Sequence, residues 1–186
     1  ARNNPDLLRS VGRPLATARL RLVSSAGEPC ATGEAGEILV QARQCMEGYW
    51  QDADASAAAM TDGWLHTGDI GRFDEEGYLF IVDRKKDMII SGGENIASRE
   101  VEEVLRRHSA VADCAVIGMP DHKWGESACA VLRLRSEVSD RELADHCRGL
   151  LAAYKTPKHW IRTEDIPLNA SGKVDKPLLR RTYAEG

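Results

Sequence analysis

Residues 83–96 read Asp83-Arg84-Lys85-Lys86-Asp87-Met88-Ile89-Ile90-Ser91-Gly92-Gly93-Glu94-Asn95-Ile96, and the chain has a different character on either side of them. A charged block comes first, then a short apolar run, then paired glycines and two polar residues. An apolar run this short, ended by Ser-Gly-Gly, reads as a strand entering a tight turn. Adjacent glycines admit positive φ or let backbone approach a ligand closely. The charged block reads as a solvated connection, so a domain boundary is placed at Asp83 to Lys86, dividing the chain into 1–83 and 84–186.

Upstream, Ala18 to Val23 and Glu37 to Gln41 read as strands, with glycine turns at Ser24–Gly27 and Gly33–Gly36. The alanine-rich run Gln51 to Met60 predicts a short helix with aspartate caps available. Three further short strands are expected, at Trp64–Thr67, Ile70–Phe73 and Tyr78–Val82, the last two joined by the loop Asp74-Glu75-Glu76-Gly77. Short strands with frequent glycine turns suggest a small barrel-like β unit.

Downstream, Val101, Val104, Leu105 and His108 recur at helical spacing, with Ser98 as the expected cap. Cys114 to Ile117 reads as a strand ending at Gly118 before a Pro120-Asp121 turn, and Ser127 to Arg135 as the next strand. Ser139-Asp140-Arg141-Glu142 is a capping box that opens a helix through Leu143, Cys147 and Leu150. Tyr154 to Pro157 breaks it, His159 to Arg162 reads as a strand, and Asp175 caps a terminal helix with Pro177 in its first turn. The alternation predicts a compact α+β domain with a short sheet and flanking helices after the β-rich part.

The chain has 186 residues and a net charge of −4, which gives no basic footprint for nucleic acid. No apolar run approaches membrane-spanning length. Ala1-Arg2-Asn3-Asn4-Pro5 carries neither an initiator Met nor an apolar signal segment, and reads as an excision from something longer. The five cysteines, Cys30, Cys45, Cys114, Cys129 and Cys147, are scattered, with no Cys-x-x-Cys pair. They read as free thiols in a reduced cytosol, and neither they nor the isolated histidines suggest a metal site.

Asp69 ends Thr67-Gly68-Asp69. A carboxylate there either caps its own turn or accepts hydrogen bonds from vicinal hydroxyls such as those of a ribose. Arg84 reads as a surface arginine or as a ligand to ribose or phosphate oxygens. Lys173, in Asn169-Ala170-Ser171-Gly172-Lys173, reads as a solvated loop lysine, since the phosphate-binding pattern Gly-x-x-x-x-Gly-Lys-Ser/Thr is absent.

Asp83-Arg84-x-Lys86-Asp87-x-Ile89-x-Ser91-Gly92-Gly93-Glu94-Asn95-Ile96 closely resembles the hinge segment of the acyl-adenylate-forming enzymes, in particular their acyl-CoA synthetase branch. Gly63-Trp64-Leu65-His66-Thr67-Gly68-Asp69 and Pro167-Leu168-Asn169-Ala170-Ser171-Gly172-Lys173 agree with that family and stand in its order. The resemblance implies that residues 1–83 are the last subdomain of a large N-terminal domain and 84–186 a mobile C-terminal domain. It implies a ligase that joins a carboxylic acid to coenzyme A through an acyl-adenylate, consuming ATP, with Mg2+ accompanying the nucleotide. It gives Asp69 and Arg84 to the nucleotide, Lys86 to the hinge, and Ser91, Gly92 and Gly93 to the coenzyme A channel. Lys173 becomes the lysine that bridges substrate carboxylate and α-phosphate. Some relatives carry a lysine at the Ile90 position, a contact that Ile90 does not provide. The phosphate loop and acyl pocket of the family are missing from this sequence, so the chain is expected to be inert alone. Carrier-loading adenylation domains share the architecture, but their hinge strand runs Gln-Val-Lys-Ile-Arg-Gly, unlike Met88 to Gly93. A non-catalytic docking module is the rival from another class, and saturable ATP binding would argue against it.

Overall fold

The computed structural model describes residues 5–184; Ala1 to Asn4, read above as the start of an excised piece, lie outside them. The chain divides into two compact units, one ending at Lys86 and the other running from Asp87.

The first unit is an antiparallel sheet of β1 (Ala18–Val23), β2 (Gly36–Ala42), β3 (Met60–Thr61), β4 (Trp64–Phe73) and β5 (Leu79–Arg84), with helix α1 (Ala53–Ala59) between β2 and β3. β1 pairs with β2 and β2 with β4, while β3 and β5 each pair with β4. Leu20 and Leu22, Ile38 and Val40, and Leu79 and Ile81 alternate along their strands and meet on one face, with Leu22, Ile38 and Leu79 fully inside. That two-residue period is what a sheet with one buried face requires.

β4 runs unbroken through Gly68-Asp69, where the sequence predicted two strands. The interruption is real but local. Glu37 pairs with Ile70 and Leu39 with His66, so two steps along β2 span four along β4. Gly68 accommodates this bulge at φ 69°. The Thr67 hydroxyl fills the gap in the ladder, donating to the Ile38 carbonyl at 2.8 Å and accepting from the Asp69 N–H at 3.1 Å.

The second unit contains β6 (Ile89–Ser91), β7 (Glu94–Ile96), α2 (Ser98–Leu105), β8 (Val111–Asp121), β9 (Gly125–Leu134), α3 (Asp140–Arg148), β10 (His159–Arg162) and α4 (Lys176–Tyr183). β9 is the central strand, paired with β8, with β10 in parallel and with β6, and β6 continues to β7. Its residues Ala128 to Leu132 are all buried. Even-numbered members pack with Val101, Leu105, Leu143 and Cys147 under α2 and α3; Cys129 and Val131 pack with Leu179 of α4 on the other face. One sheet between two helical layers explains a run buried on both sides.

Two local expectations are corrected here, and one strand had no expectation at all. β8 continues past Gly118 through Pro120 to Asp121, because it pairs only with β9 and an edge strand tolerates a missing N–H. β7, too short for a periodicity signal, forms a hairpin with β6. Ser98 is the first residue of α2 rather than its cap, and its hydroxyl accepts from Lys176 instead. Ser139 and Asp175 do cap α3 and α4, accepting from the N–H groups of Glu142 and Leu178.

Candidate functional site

Asp69 and Arg84 lie opposite each other in the β4–β5 ladder. The Arg84 Nε is 2.7 Å from Asp69 Oδ1, and both side chains keep access to solvent. The bulge sets where Asp69 projects, and Arg84 fixes one carboxylate oxygen and leaves the other open. An exposed pair of this kind contributes little stability, so its worth lies in orientation.

The junction between the units is held from both sides. Before it, the Lys85 ammonium donates to Glu37 Oε2 at 2.8 Å, and His66 Nδ1 lies 3.3 Å from the same oxygen, all within the first unit. After it, Arg180 Nη2 donates to Asp87 Oδ1 at 2.9 Å within the second unit. Lys86, exposed, stands between these two anchors. Burial alone would push the Glu37 carboxyl up, but the hydrogen bonds from Lys85 and His66 outweigh it and hold the group below its usual range.

Ser91, Gly92 and Gly93 form the turn of the β6–β7 hairpin. Gly92 and Gly93 have φ of 62° and 86°, the paired positive values of a two-residue type I′ turn. They differ in surroundings. A Cβ on Gly92 would fall 2.5 Å from the Trp124 ring, whereas one on Gly93 would meet nothing within 4 Å. Trp124 also receives the Gly92 N–H on its carbonyl at 2.8 Å and carries the Lys123 and Lys158 ammonium groups over its ring. The sequence reading passed over Trp124, and the available signal was a tryptophan in a polar turn.

Lys173 occupies a separate loop, closed by the isolated pairing of Leu168 with Val174 just before α4. The Asn169 side chain accepts from the N–H groups of Ser171 and Lys173, and the backbone N–H of Asn169 donates to the Lys173 carbonyl at 2.7 Å. The loop is therefore shaped from within. Its lysine is exposed, and among the described residues the ammonium has no hydrogen-bond or ion-pair partner. A preorganised backbone carrying an unpaired cation suits a group whose anionic partner comes from outside.

Cys114 and Cys129 have thiols pushed up to about 12, and Cys147 to about 11, in each case chiefly by burial, which makes them inert packing residues. Among the described residues no cluster of His, Cys, Asp or Glu would hold a metal ion. No helix among the described residues is long and apolar enough to cross a membrane.

The AMP-binding enzyme C-terminal domain family matches residues 100–173, a span that closes on Lys173. The 2-succinylbenzoate–CoA ligase of Bacillus velezensis is 46% identical over 174 residues, covering 94% of this chain and 36% of that protein. The medium/long-chain-fatty-acid–CoA ligase FadD8 of Mycobacterium tuberculosis is 41% identical over 188 residues, covering 96% and 33%. Among solved structures, o-succinylbenzoate CoA synthetase from Bacillus subtilis in complex with its acyl-adenylate intermediate superposes with a TM-score of 0.87 at 42% identity, over 93% of this chain and 36% of that one.

The chain carries the AMP-binding enzyme C-terminal domain. It spans about a third of the length of the curated relatives it matches. By their names the two ligases act on different acids.

Proposed function

We propose that the chain is the C-terminal portion of an AMP-forming acid–thiol ligase. In the first half-reaction a carboxylate oxygen attacks the α-phosphorus of ATP, the bond to pyrophosphate breaks, and acyl-adenylate forms. In the second, the coenzyme A sulfur attacks the acyl carbon and AMP leaves with the electron pair of the broken C–O bond. The observation that carries this reading is Lys173, an unpartnered cation on a loop shaped by its own hydrogen bonds. Placed between carboxylate and α-phosphate, it would offset the repulsion that keeps the two anions apart and the negative charge that builds up as they react.

The other residues take roles that their placement supports. Asp69, oriented by Arg84, accepts the ribose hydroxyls through its open oxygen, and Arg84 faces the ribose and phosphate oxygens. Lys86 takes the hinge role, at the end of the first unit, with Lys85 tied within that unit and Asp87 tied within the second. Rotation there carries the second unit from a pose that presents Lys173 to one that presents Ser91, Gly92 and Gly93 to the pantetheine arm. Mg2+ accompanies the ATP. The substrates are a small-molecule acid, ATP and coenzyme A, and the chain alone forms no acyl-adenylate.

Lys173→Ala in the full-length protein tests the reading. Carboxylate-dependent ATP–pyrophosphate exchange should fall by roughly a hundredfold or more, the loss typical of one preorganised charge-stabilising donor. Thioester formation from pre-made acyl-adenylate should survive, because the lysine has left the site for that step. Equal damage to both half-reactions would show that Lys173 is structural or binds ground states uniformly.

A further inference from the structure

Lys176 stands three residues beyond Lys173, at the start of α4, yet its side chain is only 13% exposed. Its ammonium lies 2.7 Å from Glu102 Oε1 and 2.7 Å from the Ser98 hydroxyl, both on α2. Glu102 is itself 9% exposed, and its Oε1 also accepts the Val116 N–H of β8 at 2.9 Å. Arg106 Nη2 approaches the other oxygen at 3.5 Å. One lysine thus ties the first turn of α4 to α2 and, through Glu102, to the sheet.

This placement runs against local preference. A cation in the first turn of a helix opposes the macrodipole, and a buried ion pair is poor evidence for net stabilisation. What such a pair supplies is direction, since two charged groups with shared hydrogen bonds hold one geometry where apolar packing would tolerate several. Loop 167–175 is held at its far end by Val174, which packs with Ile166 and Leu179 against Ile117 and Cys129, and Lys176 adds a directed tie just beyond it. The loop's hydrogen bonds, from the Ser171 and Lys173 N–H groups to the Asn169 side chain and from the Asp175 N–H to the Pro167 carbonyl, are internal and set its shape.

We propose that Lys176 is a positioning residue that fixes, through Glu102 and Ser98, how the loop leaves the second unit and so where the Lys173 ammonium is held during adenylation. The inference rests on the reading of Lys173 given above. It assigns Lys176 no contact with substrate.

The test compares Lys176→Met, the double variant Lys176→Met/Glu102→Gln, and Lys173→Ala in the full-length protein. In the double variant the introduced side-chain amide keeps an acceptor for the Val116 N–H while no buried charge is left unpaired, so the thermal midpoint lost in Lys176→Met should largely return. Pyrophosphate exchange should stay down by about tenfold or more in both, the scale of a misplaced reacting group. Thioester formation from pre-made acyl-adenylate should remain within about twofold of the parent. Hydrogen exchange at the Gly172 and Lys173 amides of this chain should quicken in both variants. A double variant with its midpoint restored, parental exchange activity and unchanged loop amides would overturn the proposal, as would parallel loss of both half-reactions. Loosened loop amides beside a Lys173→Ala protein of parental activity would instead overturn the Lys173 reading and leave the positioning of the loop standing.

Discussion

Glu37 is the residue whose charge has the clearest consequence for stability. Its carboxyl is buried, yet Lys85 and His66 hold it below the usual glutamate range. Because the folded value lies under the unfolded one, about 4.3, the stabilisation is present above that pH and disappears as pH falls through the folded value. The thermal midpoint of the chain should therefore drop on acidification below about pH 4, and Glu37→Gln should flatten that part of the profile while lowering the plateau above it. A Glu37→Gln protein with the parental pH profile would show that the anchor contributes nothing. Single residues of this kind were the least legible in the sequence. Glu37 and Lys85 are separated by 48 positions and Lys176 and Ser98 by 78, so no local pattern marks either pair. The proximity of Asp69 to Arg84 was equally invisible until the β4–β5 register placed them face to face. The exposed Lys173 loop was quoted from its motif, but its internal Asn169 bonds were not foreseen.

At the scale of elements, patterning served well where one face is buried and capping residues mark the ends. β1, β10, α3 and α4 fall where alternation and the Ser139 and Asp175 caps put them. It failed where a side chain or a strand edge compensates for a break: Thr67 bridges the gap at Gly68, and the edge position of β8 absorbs Pro120. The β6–β7 hairpin shows how two adjacent glycines can serve different needs. Gly93→Ala should cost about 1 kcal/mol, the penalty of positive φ alone. Gly92→Ala should cost clearly more, because its methyl group also collides with the Trp124 ring, and urea unfolding of the two variants checks the order. If the turn also borders the thiol channel, Gly93→Leu in the full-length protein should keep most pyrophosphate exchange and lose most coenzyme A-dependent turnover. A folded Gly93→Leu protein that makes acyl-CoA at the parental rate would remove that assignment.

At the scale of the whole molecule, the division after Lys86 falls at the end of the Asp83–Lys86 block, with Lys85 reaching back to Glu37 and Asp87 tied to Arg180 of the second unit. The proposed ligase needs a rotation between its half-reactions, here assigned to Lys86. Substituting proline fixes φ and removes the N–H at that position. The most direct measurement is therefore the pair of half-reaction rates of Lys86→Pro in the full-length protein, with its thermal midpoint recorded alongside. The account predicts that pyrophosphate exchange persists while thioester formation from acyl-adenylate and coenzyme A collapses. Both rates staying near those of the parent would contradict it.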